Sequence, residues 1–326
     1  MWDFPLFPEQ ASTAARHVDQ VYFALIALSI FFIFSIGGAA LYFMTHYHFR
    51  RDADRRNVPK SNWKLEVIFI GSAVVVSTFF FFWGAYKYLK ISQATDDALE
   101  LFVLGKQWMW KVQYPEGQRE INRLHIPVNQ PIMLRLTSQD VIHSFYVPAF
   151  RVKQDVVPGR YTTLWFEATK TGTFKLECAE YCGTDHSRML GEVVVMSAPD
   201  FARWLANRPV QSTMVAQGER IFARAGCSGC HTAASAVHAP DLQGLFGRRV
   251  ALSTGETLVA DASYIRDSIL LPKKHVVAGY APIMPSFEGQ LSEQEIFALL
   301  EFIKFEPALN DAANASPNTE KNDANK

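Results

Sequence analysis

Between positions 178 and 189 the chain reads Cys178-Ala179-Glu180-Tyr181-Cys182-Gly183-Thr184-Asp185-His186-Ser187-Arg188-Met189. Thiol, imidazole and thioether are soft or borderline donors, which suit copper far better than magnesium or calcium. A mononuclear copper loop needs one Cys, one His and one weak Met, with a second His from upstream. Here a second Cys stands four residues before Cys182, and two bridging thiolates can hold two ions where one cannot. The upstream imidazole is best supplied by His143, in Gln139-Asp140-Val141-Ile142-His143-Ser144-Phe145. Plainer readings remain open on these residues alone: a Cys178–Cys182 disulfide, a tetrahedral zinc site, or Met189 as an ordinary core residue.

A second chemical motif is Cys227-Ser228-Gly229-Cys230-His231. This pattern attaches c-type haem covalently: the thiols add to the vinyl groups and the adjacent imidazole ligates iron. A raised potential calls for Met on the other face, and Met284 stands downstream in Tyr280-Ala281-Pro282-Ile283-Met284-Pro285. The alternative is a zinc or redox Cys-x-x-Cys pair. Around the motif, 218–225 reads as a helix, and Ser292 with Glu295 forms a capping box. Ile296, Leu299, Leu300 and Ile303 then follow at helical spacing, as an amphipathic terminal helix. His238 and His275 lie nearby and read as surface or satisfied histidines.

These motifs need elements to position them. Over 95–200 short alternating runs (Ile132/Leu134/Leu136, Leu164/Phe166, Phe174/Leu176) separated by Pro-Gly and Thr-Gly turns predict an antiparallel β-sandwich. Glu192 to Met196 closes it. The ligands would sit on loops at one end, held by a rigid sheet. Gln107-Trp108-Met109-Trp110 is expected to precede the sandwich proper. Phe201 to Leu205 reads as a short helix within a 201–212 linker, followed by a haem domain over 213–307. Residues 308–326, without periodicity, read as a disordered tail.

Ahead of these domains, after an N-terminal segment 1–20, lie two uncharged apolar runs, 21–45 and 67–86. At about 1.5 Å rise per residue either is long enough to span a bilayer. Residues 21–94 therefore read as a transmembrane hairpin with helices at about 21–45 and 66–89. The connector carries Arg50, Arg51, Arg55, Arg56, Lys60 and Lys64, more positive charge than either outer flank. That places the connector in the cytoplasm, with the N-terminus and everything after Lys90 on the other side. Acidic Asp3, Glu9 and Asp19 before the first run argue for a retained helix over a cleaved signal.

The formal net charge is zero, which gives no indication of a nucleic-acid partner. All four cysteines fall in the two motifs, leaving none for a disulfide framework.

The copper-type loop resembles the dinuclear copper centre, CuA, of cytochrome oxidase subunit II. The segment after it resembles class I cytochrome c and the cytochrome extension of caa3-type haem–copper oxidases. This resemblance implies a multidomain membrane protein: a two-helix hairpin, an all-β cupredoxin-like sandwich and an all-α cytochrome c domain. The implied copper ligands are His143, Cys178, Cys182, His186, Met189 and the backbone carbonyl of Glu180. The Glu180 carboxylate resembles one that reaches a Mg2+ ion at the subunit I interface. Trp108 resembles a residue through which electrons enter, although the family's central aromatic is Met109 here. Glu66 resembles a glutamate at a proton pathway, without the Trp-Thr-Ile-Ile-Pro that usually follows it. Pro240 matches a proline whose carbonyl orients the haem histidine.

The function implied by the resemblance is that of an electron-transfer subunit of a proton-translocating cytochrome c oxidase. Electrons pass from covalent haem c to CuA and on to subunit I, where O2 becomes water. No catalytic nucleophile or acid–base group is expected in this chain. The implied partners are subunit I, other oxidase subunits, the lipid membrane, and a quinol:cytochrome c reductase-type complex or a cytochrome c as donor. The implied location is a bacterial inner membrane, with both redox domains periplasmic. Two other similarities are weaker: the copper subunit of a nitric oxide reductase, and a membrane-anchored copper chaperone of the Sco type.

Overall fold

The computed structural model describes residues 7–52, 62–91, 97–207, 213–232, 235 and 237–314, with side chains as far as Phe305. Helices α1 (Thr13–His46) and α2 (Trp63–Ile91) form the hairpin and are long and apolar enough to cross a membrane. Phe31, Phe34, Ile36, Phe69 and Phe79 point outward along them, a surface suited to lipid or a membrane partner. Arg55, Arg56 and Lys60 of the connector lie outside the described residues.

Helix α1 starts well before position 21, and the cause is tertiary. Ser12 caps it by accepting from the Ala15 N–H at 2.9 Å. The preceding segment joins the sandwich edge, with Ala11 N donating to Ala149 O and Thr169 N donating to Ala11 O. Arg151, in the left-handed region at φ 55°, closes the join. Its guanidinium donates to Asp19 (2.9 Å), Pro148 O, Glu9 O and Pro8 O, using the planar fork of donors that only Arg offers. At the same level Lys87 of α2 donates to Gln20 of α1 at 2.9 Å.

The sandwich consists of β1 (Leu99–Lys106), β2 (Met109–Gln113), β3 (Arg119–Ile121), β4 (Arg123–Pro127), β5 (Pro131–Ser138), β6 (His143–Val147), β7 (Val152–Val156), β8 (Thr162–Glu167), β9 (Gly172–Cys178) and β10 (Leu190–Met196). One sheet runs β3-β2-β1-β5-β8 and the other β4-β10-β9-β6-β7. Most pairs are antiparallel, but β1–β5 and β4–β10 are parallel, which corrects the all-antiparallel expectation. The Gln107-Trp108 segment does not precede the sandwich: it is the turn between β1 and β2.

Strand β1 is apolar on both faces. Leu101 and Val103 enter the sandwich core, whereas Phe102 and Leu104 join the core of the following domain. Continuous apolar runs of this kind mark strands covered on both sides.

Helix α3 (Ala198–Ala206) lies on the sandwich, its Trp204 ring stacked on His125 at 4.5 Å. The expected linker therefore starts as a packed helix, and 208–212 lie outside the described residues. Next come α4 (Met214–Arg224), a short hairpin β11 (Arg249–Ala251) and β12 (Thr257–Val259), α5 (Ala262–Leu270) and α6 (Glu293–Asn314). The hairpin is absent from an all-α expectation. The Ser292/Glu295 capping box forms, with Ser292 N donating to Glu295 at 2.9 Å and Glu295 N to Ser292 Oγ at 3.3 Å.

Helix α6 is not amphipathic in its setting. Residues 296–303 are buried all round, because the sandwich covers the face that sequence alone gives to solvent. It also continues to Asn314, so 308–314 are helical rather than disordered; 315–326 lie outside the described residues.

The two extramembrane domains are seated on each other. Phe297 of α6 packs on Phe102 (4.8 Å between ring centres) and Tyr161 (5.4 Å). Arg266 of α5 donates to Gly159 O at 2.7 Å. Burying each such aromatic contributes about 1.5–3 kcal/mol, more than the exposed Arg119–Gln217 hydrogen bond at the rim. The 114–118 turn secures both ends of the connection: Gln118 donates to Leu205 O at 2.9 Å, and Met214 N donates to Pro115 O at 3.0 Å.

Candidate functional site

Strand β9 ends at Cys178, β10 begins at Leu190, and the loop between them folds back on the start of β6, where His143 sits. Not all the donors are on loops, since His143 and Cys178 belong to strand ends. Cys178 Sγ lies 4.0 Å from His143 Nδ1 and 3.3 Å from the Glu180 carbonyl. Cys182 Sγ lies 3.5 Å from His186 Nδ1 and 3.8 Å from Met189 Sδ. The two sulfurs are 3.8 Å apart as free thiols, well beyond a disulfide bond length of about 2.05 Å. Each thiol thus has one imidazole and one weak donor beside it. A single tetrahedral ion uses four donors, whereas six converge here. The set fits copper.

The loop is braced from β1, β2 and the turn before β6. Asp140, which sequence reasoning passed over, is the main brace. Its carboxylate accepts from Gln107 N (2.8 Å) and Val141 N (2.7 Å) and meets His143 Nε2 at 2.8 Å. Its place three residues before His143 was the one available signal. With Nε2 turned to Asp140, Nδ1 is the ring nitrogen that faces Cys178. Gln107 and Trp108 side chains donate to Cys182 O at 2.8 and 3.3 Å. Gly183, at φ 119°, leaves room for them: a Cβ there would come within 3.0 Å of Gln107 Nε2. Trp110, fully buried, packs edge-on against His143.

Burial raises both thiols, but at Cys178 hydrogen bonds from His143 and the Ser144 backbone outweigh it and bring the group to about 6. Cys182 is pushed up by burial and by the neighbouring Cys178 charge. One thiolate is thus ready at neutral pH. His143 is raised, because Cys178 and Asp140 together overcome its burial.

In the following domain, Cys227, Cys230 and His231 line one side of an apolar cavity and Met284 another. Leu245, Tyr264, Leu299 and Ile303 complete its walls. His231 Nδ1 is 2.9 Å from the Pro240 carbonyl, which can only accept, so the opposite ring nitrogen keeps its lone pair. An apolar slot with two thiols at its edge and imidazole and thioether donors in its lining fits a haem. His238 and His275 contribute to the wall, stacked on Tyr280 (4.5 Å) and Tyr264 (6.0 Å).

Of the remaining expected positions, Trp108 touches the copper-type loop through its bond to the Cys182 carbonyl. The Glu180 side chain is exposed on that loop. Glu66 lies in the first turn of α2, at the opposite end of that helix from Lys87, and is apart from the loop and the cavity.

Residues 117–197 match the family described as cytochrome c oxidase subunit II, periplasmic domain, and residues 215–305 match cytochrome c. Together the matches span more than half of the chain. The cytochrome c oxidase subunit 2 of Alkalihalophilus pseudofirmus is 27% identical over 305 residues, covering 86% of this chain and 85% of the relative. That of Thermostichus vulcanus is 28% identical over 253 residues, covering 61% and 77%. The crystal structure of the periplasmic domain of subunit II of cytochrome oxidase from Bradyrhizobium japonicum is 36% identical, covering 35% of this chain and 95% of that one, with a TM-score of 0.34. A copper-type sandwich and a haem-type helical domain thus follow a membrane hairpin in one polypeptide, and the chain belongs to the cytochrome c oxidase subunit II family, in the form that carries a fused cytochrome c domain.

Proposed function

We propose that this chain takes up electrons in its cytochrome c domain, passes them to its sandwich domain, and delivers them to subunit I of a terminal oxidase that reduces O2 to water. The observation that carries the reading is the placement of an imidazole and a weak donor beside each of the Cys178 and Cys182 thiols. His143, Cys178, Cys182, His186, Met189 and the Glu180 carbonyl would hold two coppers. Cys227 and Cys230 would attach haem covalently, with His231 and Met284 as its axial donors. When bound, these groups supply reversible one-electron storage.

The chain's own residues contribute rigidity and shielding. Asp140 and Trp110 fix the His143 ring, and Gln107 and Trp108 tie the Cys182 carbonyl. Donors held this firmly move little between redox states, which keeps transfer fast. The Pro240 carbonyl does the same for His231. The contact of Trp108 with the loop supports its role where electrons enter the sandwich. The exposed Glu180 carboxylate is available to a Mg2+ ion at the subunit I contact, and Glu66 to protons entering from the cytoplasmic side. The hairpin would lie in a bacterial inner membrane with the arginine-rich connector inside and both redox domains outside. A quinol:cytochrome c reductase-type complex or a cytochrome c would be the donor.

Metal and haem analysis of the purified chain tests this. Two coppers and one haem that survives denaturing electrophoresis are expected. One copper, or a haem extractable with acid acetone, would refute it.

A further inference from the structure

The seam between the two extramembrane domains holds a carboxylic acid with no part in copper or haem binding. Helix α6 presents Leu299 and Ile303 to the haem cavity and Phe297 to Phe102 and Tyr161 across the seam. Glu301, one turn beyond Phe297, shares the seam face and is 1% exposed. Its Oε1 has no hydrogen-bond partner among the described residues. Lys304 Nζ is 3.8 Å away, too far to bond, and donates instead to Glu100.

The charged groups facing Glu301 are Lys304 on α6, Glu100 on β1 and Arg135 on β5; Arg135 donates to Glu100 at 2.6 Å. The Tyr161 hydroxyl and both amide atoms of Gln113 are also buried without partners among the described residues. Gln113 lies directly across from Phe102 in the sheet and so shares its face. Groups of this kind are typically bridged by ordered water, by which protons would reach them. Burial pushes Glu301 up to about 7, with Glu100 adding to it and Lys304 and Arg135 opposing.

A carboxyl separated from a redox cavity only by the helix that carries both has a proton affinity that follows the charge in that cavity. We propose that Glu301 is a proton-binding site linked to the oxidation state of the cytochrome domain. It takes one proton from water when the cavity gains an electron and releases it when the electron leaves. The electron is supplied by the donor to the oxidase; the proton comes from hydronium, whose O–H bond breaks as the O–H bond at Glu301 forms, and the exchange reverses on reoxidation. The inference rests on Cys227, Cys230, His231 and Met284 being the haem site.

The test is a potentiometric titration of the haem absorbance in the full-length protein between pH 5.5 and 8.5. The midpoint potential should fall as pH rises. A threefold change in proton affinity between the two oxidation states corresponds to about 28 mV, and at least that is expected. Glu301→Gln should abolish the fall. Lys304→Met keeps the acid but removes a charge that favours its ionised form, so the fall should move to higher pH. A reduced-minus-oxidised infrared spectrum should show a protonated-carboxyl band that Lys304→Met perturbs, a check that stands if Glu301→Gln does not fold. A flat potential in a protein with an intact haem spectrum overturns the proposal. So does a slope unchanged in Glu301→Gln, or the absence of the infrared band. Loss of the covalent haem spectrum itself would refute the haem assignment instead.

Discussion

A Cβ atom on Gly218 would lie 2.1 Å from the carbonyl oxygen of Ala298, so helices α4 and α6 cross in contact at a point where only hydrogen fits. Phe222 and Phe302 pack beside the crossing at 5.3 Å. The obstruction is backbone, which cannot rotate aside. Gly218→Ala should therefore cost about 3 kcal/mol or more, at the upper end of overpacking. Haem-stained protein should fall sharply, and the copper signal of whatever accumulates should stay normal.

Asp140 holds His143 through a single 2.8 Å contact while satisfying two backbone N–H groups. Asp140→Ala leaves those donors unpaired and frees the imidazole to rotate. Copper affinity should fall about 10–100-fold, read by competition with a chelator, while the haem spectrum stays unchanged.

Met189 Sδ is 3.8 Å from Cys182 Sγ and is fully buried. Met189→Leu conserves volume and removes the thioether. The optical and paramagnetic signals of the copper site should shift, with stability changed by less than about 1.5 kcal/mol and the haem untouched. A haem signal that moved with the copper signal would show that the two sites are not independent.

Arg151 and Asp19 are both buried and bonded at 2.9 Å, joining α1 to the sandwich. Arg151→Ala strands a buried carboxylate, which typically costs about 3–5 kcal/mol. The join should open to limited proteolysis near residues 8–12, and a second change, Asp19→Asn, should recover part of the loss.

Metal binding must displace thiol protons. Cys178 is held at about 6, whereas Cys182 is raised. Near pH 8 Cys178 is already ionised, so Cys182 should contribute the thiol proton released on loading. Below about pH 6 Cys178 is protonated too, and a second thiol proton is expected, together with the proton that the raised His143 imidazole carries. Affinity should therefore climb with pH, more steeply on the acid side, as calorimetry in buffers of different ionisation enthalpy would show.

The proposed donor set was legible in the sequence because its chemistry is local. Five of the six donors' spacing is fixed within one loop and its flanking strands, and the Cys-x-x-Cys-His motif is contiguous. The strands at Ile132–Leu136 and Phe174–Leu176 were equally plain from their alternation. The features that escaped depended on neighbours distant in the chain. Asp140 has a role only because the β1–β2 turn brings Gln107 to it. Phe102 acquires its place at the domain seam only because Phe297, far along the chain, lies against it. Ser12 starts α1 early because Ala149 and Phe150 wait beside it, and Glu301 is buried only because the sandwich covers the far side of its helix.

The 114–118 turn that grips Leu205 on one side and Met214 on the other has a kinetic corollary. A short tether with both anchorages on one hairpin confines the second module to a small volume around its seat. Effective concentrations reach the millimolar range for such connections. Any free carrier seeking the same seat would have to outcompete a resident already held there.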